Sequence, residues 1–328
     1  MLRYILRRIA LMIPTLLVIS VVTFAIIQLP PGDWLTSYVS QLQMSGESVT
    51  QDTLEALKHQ YGLGQPMYVQ YLRWMGKLLH GDMGMSFEWN KPVNALIGQP
   101  MLLTLAISLP SMLLYWLIAF PIGIYSAVKQ YSWGDYLFTG IAFFGAAIPD
   151  FLIALVLMWF IFTKTGYNIT GLFSQQYVSA PWSFAKVLDL LKHSVVPIGI
   201  LGVLGSAGLV RTMRAMMLDE LHKPYVITAR AKGLKETRLI LKYPVRVALN
   251  PFVSTVGWSL PALISGTTIV SIVLGLQTTG PILYHALMNQ DMFLAGSFLM
   301  LLSALTIIGT LISDILLVWL DPRIRLSE

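Results

Sequence analysis

The chain has 328 residues, 55% of them hydrophobic and 12% charged, where a soluble domain carries about a quarter charged residues. It contains no cysteine, which excludes disulfides, thiolate metal sites and a cysteine nucleophile. Its net charge of +6 is set first against the basic bias of cytoplasmic loops in membrane proteins, so it does not by itself point to nucleic acid.

The apolar residues lie in long uncharged blocks separated by short charged ones, so the unit of organisation is the membrane span. About 20 residues at 1.5 Å rise cross the hydrocarbon core. Arg3, Arg7 and Arg8 precede an uncharged run from Ile9 to Gly32. The run is longer than the apolar core of a signal peptide and ends in Pro-Pro-Gly rather than a small-residue cleavage site. It reads as a retained first span, Ile9 to Gln28.

An outward insert follows, residues 30–100. Asp52 and Glu55 form a capping box, Leu54, Leu57 and Tyr61 a stripe, and Gly62 a stop. A second helix starts at Pro66 and carries Tyr68, Tyr71, Leu72, Met75, Leu78 and Leu79 before Gly81. About 70 residues hold little core, so the insert is expected to lie on the outer mouth rather than form its own domain.

The second span is Met101 to Val128. The third runs from Tyr136 to Thr163 and is interrupted by Gly145 and the Pro149-Asp150 pair. Lys164 to His193 has no clear pattern. The fourth span, Ser194 to Met217, repeats glycine at 199, 202, 205 and 208, a spacing that permits close helix approach in lipid or serves flexibility.

No Lys, Arg, Asp or Glu lies between Arg246 and Asp291, a stretch of 44 residues that is too long for one crossing. A fifth span is expected from Asn250 to Leu274, then an outer segment from Gln277 to Gln290 that dips against the protein. The sixth is Met292 to Leu320, closed by Asp321-Pro-Arg-Ile-Arg325. An even number of crossings puts both termini on one side. The basic ends, Lys129 and the basic loop after the fourth span make that side cytoplasmic. The expected fold class is an all-α integral membrane protein with six transmembrane helices. It divides into 1–29, the insert 30–100, and a five-span core 101–328 with a cytoplasmic loop at 211–246.

That loop holds nine basic residues against three acidic ones, a net +6 equal to that of the whole chain. Asp219 and Glu220 precede a helix start, Pro224 suits its first position, Tyr225 to Lys232 makes two turns, and Gly233 stops them. Leu234 to Tyr243 makes a second short helix before Pro244. Charge alone fits an interfacial amphipathic helix equally well.

Other candidates are few. No Gly-x-x-x-x-Gly-Lys-Ser/Thr occurs, so the chain does not hold ATP by that route. Asp150, in mid-span after Pro149, should face protein or water, since an ionised group in hydrocarbon costs about 3 kcal/mol or more. It is either a pore position or a side chain that caps backbone freed by Pro149. Asp314, two turns before Asp321, is expected in a structural ion pair. His193 and His285 lack acidic neighbours and make a poor metal site, which disfavours nickel. Trp74, Trp89, Trp133, Trp159, Trp182 and Trp319 fall near span ends, where aromatic belts are expected. A secondary transporter or channel is the rival reading, yet such proteins pair ionisable residues at the midplane and show inverted repeats, and neither is visible. A membrane enzyme is weaker still, for no cluster of His, Asp or Glu lies in the spans.

The stretch Tyr225-Val-Ile-Thr-Ala-Arg-Ala-Lys-Gly-Leu234, with Arg246-Val-Ala-Leu-Asn-Pro251, resembles the cytoplasmic loop of permeases in the oligopeptide, dipeptide and nickel branch of the ATP-binding-cassette importers. Tyr61-Gly-Leu-Gly-Gln-Pro66 with Gln70-Tyr-Leu-Arg-Trp74, Gly81-Asp-Met-Gly-Met-Ser-Phe87 and Leu320-Asp-Pro-Arg-Ile-Arg325 extend the resemblance over nearly the whole chain. It implies a permease subunit that works by alternating access. Asp219, Glu220, Tyr225, Thr228, Ala229, Arg230, Ala231, Lys232, Gly233 and Leu234 would form its coupling element, docked in an ATPase cleft. It also implies two ATPase subunits that carry the ATP and magnesium, a homologous second permease, an extracytoplasmic solute-binding protein, and residence in a bacterial inner membrane. No cofactor is expected on this chain itself. Ser271 and Leu276-Gln277-Thr278 stand where many relatives carry a glutamate and Trp-Pro-Gly. With Phe87-Glu-Trp-Asn-Lys-Pro92, they resemble members associated with oligosaccharides rather than peptides.

Overall fold

The computed structural model describes residues 2–28 and 65–320. The capping box at Asp52 and Glu55, the helix ending at Tyr61 and the closing Asp321–Arg325 motif lie outside the described residues. Among those described the structure is helical, with one isolated antiparallel bridge between Met85 and Pro92. The helices are α1 (Leu2–Gln28), α2 (Met67–Leu79), α3 (Val93–Val128), α4 (Trp133–Ala147), α5 (Asp150–Thr165), α6 (Phe184–Leu221), α7 (Pro224–Ala231), α8 (Glu236–Lys242), α9 (Pro244–Ala248), α10 (Asn250–Gly266), α11 (Thr268–Val273), α12 (Thr279–Met288) and α13 (Met292–Leu320).

Four helices, α1, α3, α6 and α13, are long and apolar enough to cross a membrane, and α4 with α5 makes a fifth candidate bent by 95°. The bend is local in origin. Proline restricts the residue before it to extended backbone, and Ile148 sits at φ −97° and ψ 128° while Pro149 caps α5.

Helix α6 starts ten residues before the expected fourth span and takes up part of the stretch that showed no pattern. The Ser183 hydroxyl accepts the Lys186 amide at 3.3 Å and supplies the start. The helix also continues to Leu221, so the first residues of the basic 211–246 segment are helical and the turn begins at His222. The expected fifth span is a 17-residue helix, α10, followed after Thr267 by the short α11. Gly275, at φ +61°, then turns the chain, and the outer segment holds a helix, α12.

The chain forms two compact units, 1–102 with 278–308 and 103–277 with 309–328. In the first, Phe24 of α1, Trp74 of α2, Phe87 and Met292 form a core with Tyr71, Met75 and Leu78 against it. Of the apolar residues that α2 carries, Tyr68, Leu72 and Leu79 face outward, and the centre of the buried face is Trp74, 1% exposed. Tyr71, Trp74 and Leu78 are spaced as one helical face. Trp74 is thus a core residue, whereas Trp133, Trp159 and Trp319 are exposed as a belt requires.

The second unit has a core of α3, α5, α6 and α11 residues, including Leu103, Ala154, Leu201 and Leu274. Another lies under the basic loop, around Met213, Met217, Val226 and Leu239. Of the four repeated glycines, Gly202 and Gly205 meet Leu114 and Tyr115 of α3, while Gly199 and Gly208 face open space. The tightest crossing joins α10 to α13. A Cβ on Gly257 would stand 2.5 Å from the Thr310 backbone and one on Gly309 2.6 Å from the Gly257 carbonyl. There Ser313 Oγ also donates to the Val253 carbonyl at 2.6 Å.

Candidate functional site

Helix α7 opens with Pro224 and ends at Lys232, after which Gly233 at φ +78° turns the chain into α8. Val226 and Ala229, three residues apart, share one face and are buried with Leu239 and Ile240 of α8 and with Met213 and Met217 of α6. Full burial of an aliphatic side chain contributes about 1.5–3 kcal/mol, so this hairpin sits on a core of its own. The opposite face exposes Tyr225, Ile227, Thr228, Arg230, Ala231 and Lys232. Arg230 grips Glu236 across the turn, Nη2 to Oε1 at 2.6 Å and Nε to Oε2 at 3.1 Å. That contact lowers the Glu236 carboxyl and raises Arg230. The Tyr225 hydroxyl donates to the Glu220 carboxylate; burial first, then this bond, pushes Tyr225 well above the ordinary phenol range. Asp219 is exposed on the last turn of α6 and Leu234 is half-buried against the loop core. Of the expected coupling residues, Ala229 and Leu234 therefore hold the hairpin down, and the others present it.

Asp150 and Pro149 separate. Pro149 makes the break, whereas Asp150 lines a cavity of about 400 Å³ with Tyr115 and Trp116 of α3, Gly205 of α6, and Thr255 and Ser259 of α10. Asp314 lies half-buried on α13, next to Ser313.

Two anchors escaped the sequence reading. Asp135, 2% exposed at the start of α4, accepts from Arg214 of α6 at 2.7 and 2.8 Å, from the Tyr131 amide at 3.0 Å and from the Thr139 hydroxyl at 3.1 Å. Arg214 belongs to this pair, not to the open loop. Its signal was a lone acid at the start of an uncharged run, with Ser132 three residues before it as a cap. The second anchor is Asp291, just before α13. It accepts from the Ser86 hydroxyl at 2.5 Å, the Glu88 amide at 3.3 Å and the Leu294 amide at 3.1 Å. This explains the 81–87 motif. Gly81 and Gly84 sit at φ +78° and +82°, Asp82 caps the Gly84 amide at 2.8 Å, and Ser86 is thereby delivered to Asp291.

A third cluster ties the 166–183 loop to α6. Lys186 Nζ donates to the Ala180 carbonyl at 2.6 Å and lies 4.9 Å from the Phe173 ring and 5.3 Å from Trp182. Asp189 accepts the Ser174 amide and hydroxyl, both at 2.7 Å. Ser271 and Leu276 are both buried, Leu276 within the α3–α6 core and with its amide on the Ser271 carbonyl at 2.8 Å.

Long apolar helices, one pair of them bent beside a cavity, define a multi-pass membrane protein. Comparison with known proteins gives the family. The chain belongs to the binding-protein-dependent transport system inner membrane component family, whose model matches residues 119–326, with the N-terminal model of the same systems on 1–108. It is 34% identical to the oligopeptide transport system permease protein AppB of Bacillus subtilis, over 98% of this chain and 99% of that protein. It is 29% identical to the dipeptide transport system permease protein DppB of Escherichia coli K12, over 99% of each, and 28% to the oligopeptide permease OppB of Haemophilus influenzae. The chain is a multi-pass plasma-membrane permease subunit of an ATP-binding-cassette importer.

Proposed function

We propose that this permease passes a peptide from an extracytoplasmic binding protein into the cytoplasm by alternating access, driven by two partner ATPases that bind the ATP and magnesium. One observation carries the reading. The α7–α8 hairpin is packed on its own core through Val226, Ala229, Leu239 and Ile240 while Tyr225, Thr228, Arg230 and Lys232 stand outward. A knob seated this way transmits a push to α6 instead of absorbing it. A homologous second permease completes the path. The spans are α1, α3, the bent α4–α5 pair, α6, α10 with α11, and α13, with both termini cytoplasmic; the domain limits 1–29, 30–100 and 101–328 follow from that path. Peptide is favoured over oligosaccharide because the relatives are peptide permeases.

The chain has no cysteine, so single replacements report cleanly. With Thr228→Cys, a short bifunctional cross-linker is expected to join the chain to a co-purifying ATPase, and Lys232→Cys to react with an impermeant maleimide only in inverted vesicles. Labelling of Lys232→Cys from outside, or solute uptake by the purified chain without an ATPase, would overturn the reading.

A further inference from the structure

The cavity of the second unit is lined mostly by apolar groups, among them Leu201, Leu209 and Ala262, and a single charged side chain stands in it. Asp150 supplies its one carboxylate, and no Lys, Arg or His is among its lining residues. Among the described residues no side chain or amide donates to that carboxylate. The neighbouring hydroxyls do not turn their protons toward it: Ser259 donates to the Val256 carbonyl at 2.9 Å and Thr255 to the Phe252 carbonyl at 3.0 Å. Both leave oxygen lone pairs on the α10 wall. Tyr115 and Trp116 add aromatic rings on the α3 wall.

An anion in an apolar surround is stabilised by a cation brought close to it. A primary ammonium carries three donors and no acceptor, and ring faces attract it as well. A metal ion fits poorly, because a hard cation needs six or more oxygen ligands and the cavity offers a single carboxylate. A volume of about 400 Å³ lies within the range of small-molecule sites.

We infer that Asp150 receives the ammonium group of the solute as it passes, with the hydroxyl oxygens of Ser259 and Thr255 as secondary acceptors. This rests on the peptide reading, for a peptide brings such a group at its N-terminus. Asp150 would then discriminate between peptides with free and blocked amines, after the binding protein has made its own choice.

The test uses the complete transporter with its binding protein in proteoliposomes, and compares uptake of trialanine and N-acetyl-trialanine, each at a concentration that saturates the binding protein. Comparing wild type with Asp150→Asn cancels the binding protein's own preference. Asp150→Asn is expected to lower the ratio of free to blocked uptake about tenfold, the worth of one charge-assisted hydrogen bond, and Asp150→Glu to keep most of it. Size-exclusion profiles of the assembled complex show whether either variant fails to fold; in that event Ser259→Ala, expected to lower the same ratio, decides. An unchanged ratio in the folded variants, or equal loss for both peptides, overturns the role of Asp150 while leaving peptide import intact. If the wild type imports neither peptide, the peptide reading fails and takes this assignment with it.

Discussion

Asp135 in the second unit and Asp291 in the first are both almost completely buried, and they meet the cost of burying a carboxylate in different ways. Asp135 takes a counterion: the Arg214 guanidinium holds both its oxygens, with an amide and a hydroxyl in support. Asp291 has no cationic partner among its hydrogen bonds, which come from the Ser86 hydroxyl and backbone amides. The first arrangement ties two long helices together through side chains. The second fixes the path of the 84–93 loop through its own backbone. A charge pair is broken by loss of either side chain, whereas the cradle keeps its backbone amide donors whatever side chains surround it, and only Ser86 and the carboxylate itself can be removed by mutation.

The largest effect should come from Asp135→Ala, which leaves a partly buried guanidinium without its partner at a cost of about 3 kcal/mol. The unfolding midpoint of the detergent-solubilised protein should fall steeply, and Arg214→Met in addition should recover much of the loss. A double variant no more stable than Asp135→Ala would break the distinction between the two anchors.

Next is Asp291→Ala, expected to cost about 2 kcal/mol because it strands buried donors. Asp291→Asn, which keeps an acceptor, should cost about half that. The readout is hydrogen exchange of the 84–93 amides, which should rise in both variants and stay unchanged in Asp135→Ala.

Acid separates the Asp291 cradle from the exposed hairpin by sign. Burial pushes the Asp291 carboxyl above its ordinary value, against the pull of its hydrogen bonds. The contribution of its protonated form is full below about pH 4 and lost as pH rises through the raised value. Glu236 is lowered by Arg230, so its contribution is present above about pH 4.5 and lost as pH falls through the lowered value. On acidification protection, taken relative to the intrinsic exchange rate at each pH, should rise in the 84–93 loop and fall at the α7–α8 turn. A common direction would show that the two carboxylates are not distinguished by burial.

The smallest effect belongs to Arg230→Ala. Its pair with Glu236 is half exposed on both sides, so the loss should stay below about 1 kcal/mol and shrink further in salt. A larger loss of stability would mean that the hairpin leans on its charges and not on Val226 and Leu239.

Much was legible in the chain itself. The long apolar helices followed from uncharged runs measured against the bilayer, though the described residues hold four such helices and one bent pair where six spans were expected; the α7 start and stop followed from Pro224 and Gly233, since one residue's backbone preference decides each. The break at Pro149 was equally local. Trp74 was read as a belt residue because hydropathy cannot tell a membrane interface from a small core. The glycine repeat of α6 was seen whole, although only Gly202 and Gly205 meet a neighbour.

The sequence by itself determined that this protein crosses a membrane, where the short helices of the basic loop begin and end, and which family it resembles. These depend on composition and local backbone preference, which act over a few residues. Only the tertiary structure decided that Ser86 reaches Asp291 and Arg214 reaches Asp135, that Asp150 lines a cavity, and that Gly257 meets Gly309. Those pairings join residues far apart in the chain, and a buried charge or a close backbone approach acquires its partner only when helices are set side by side.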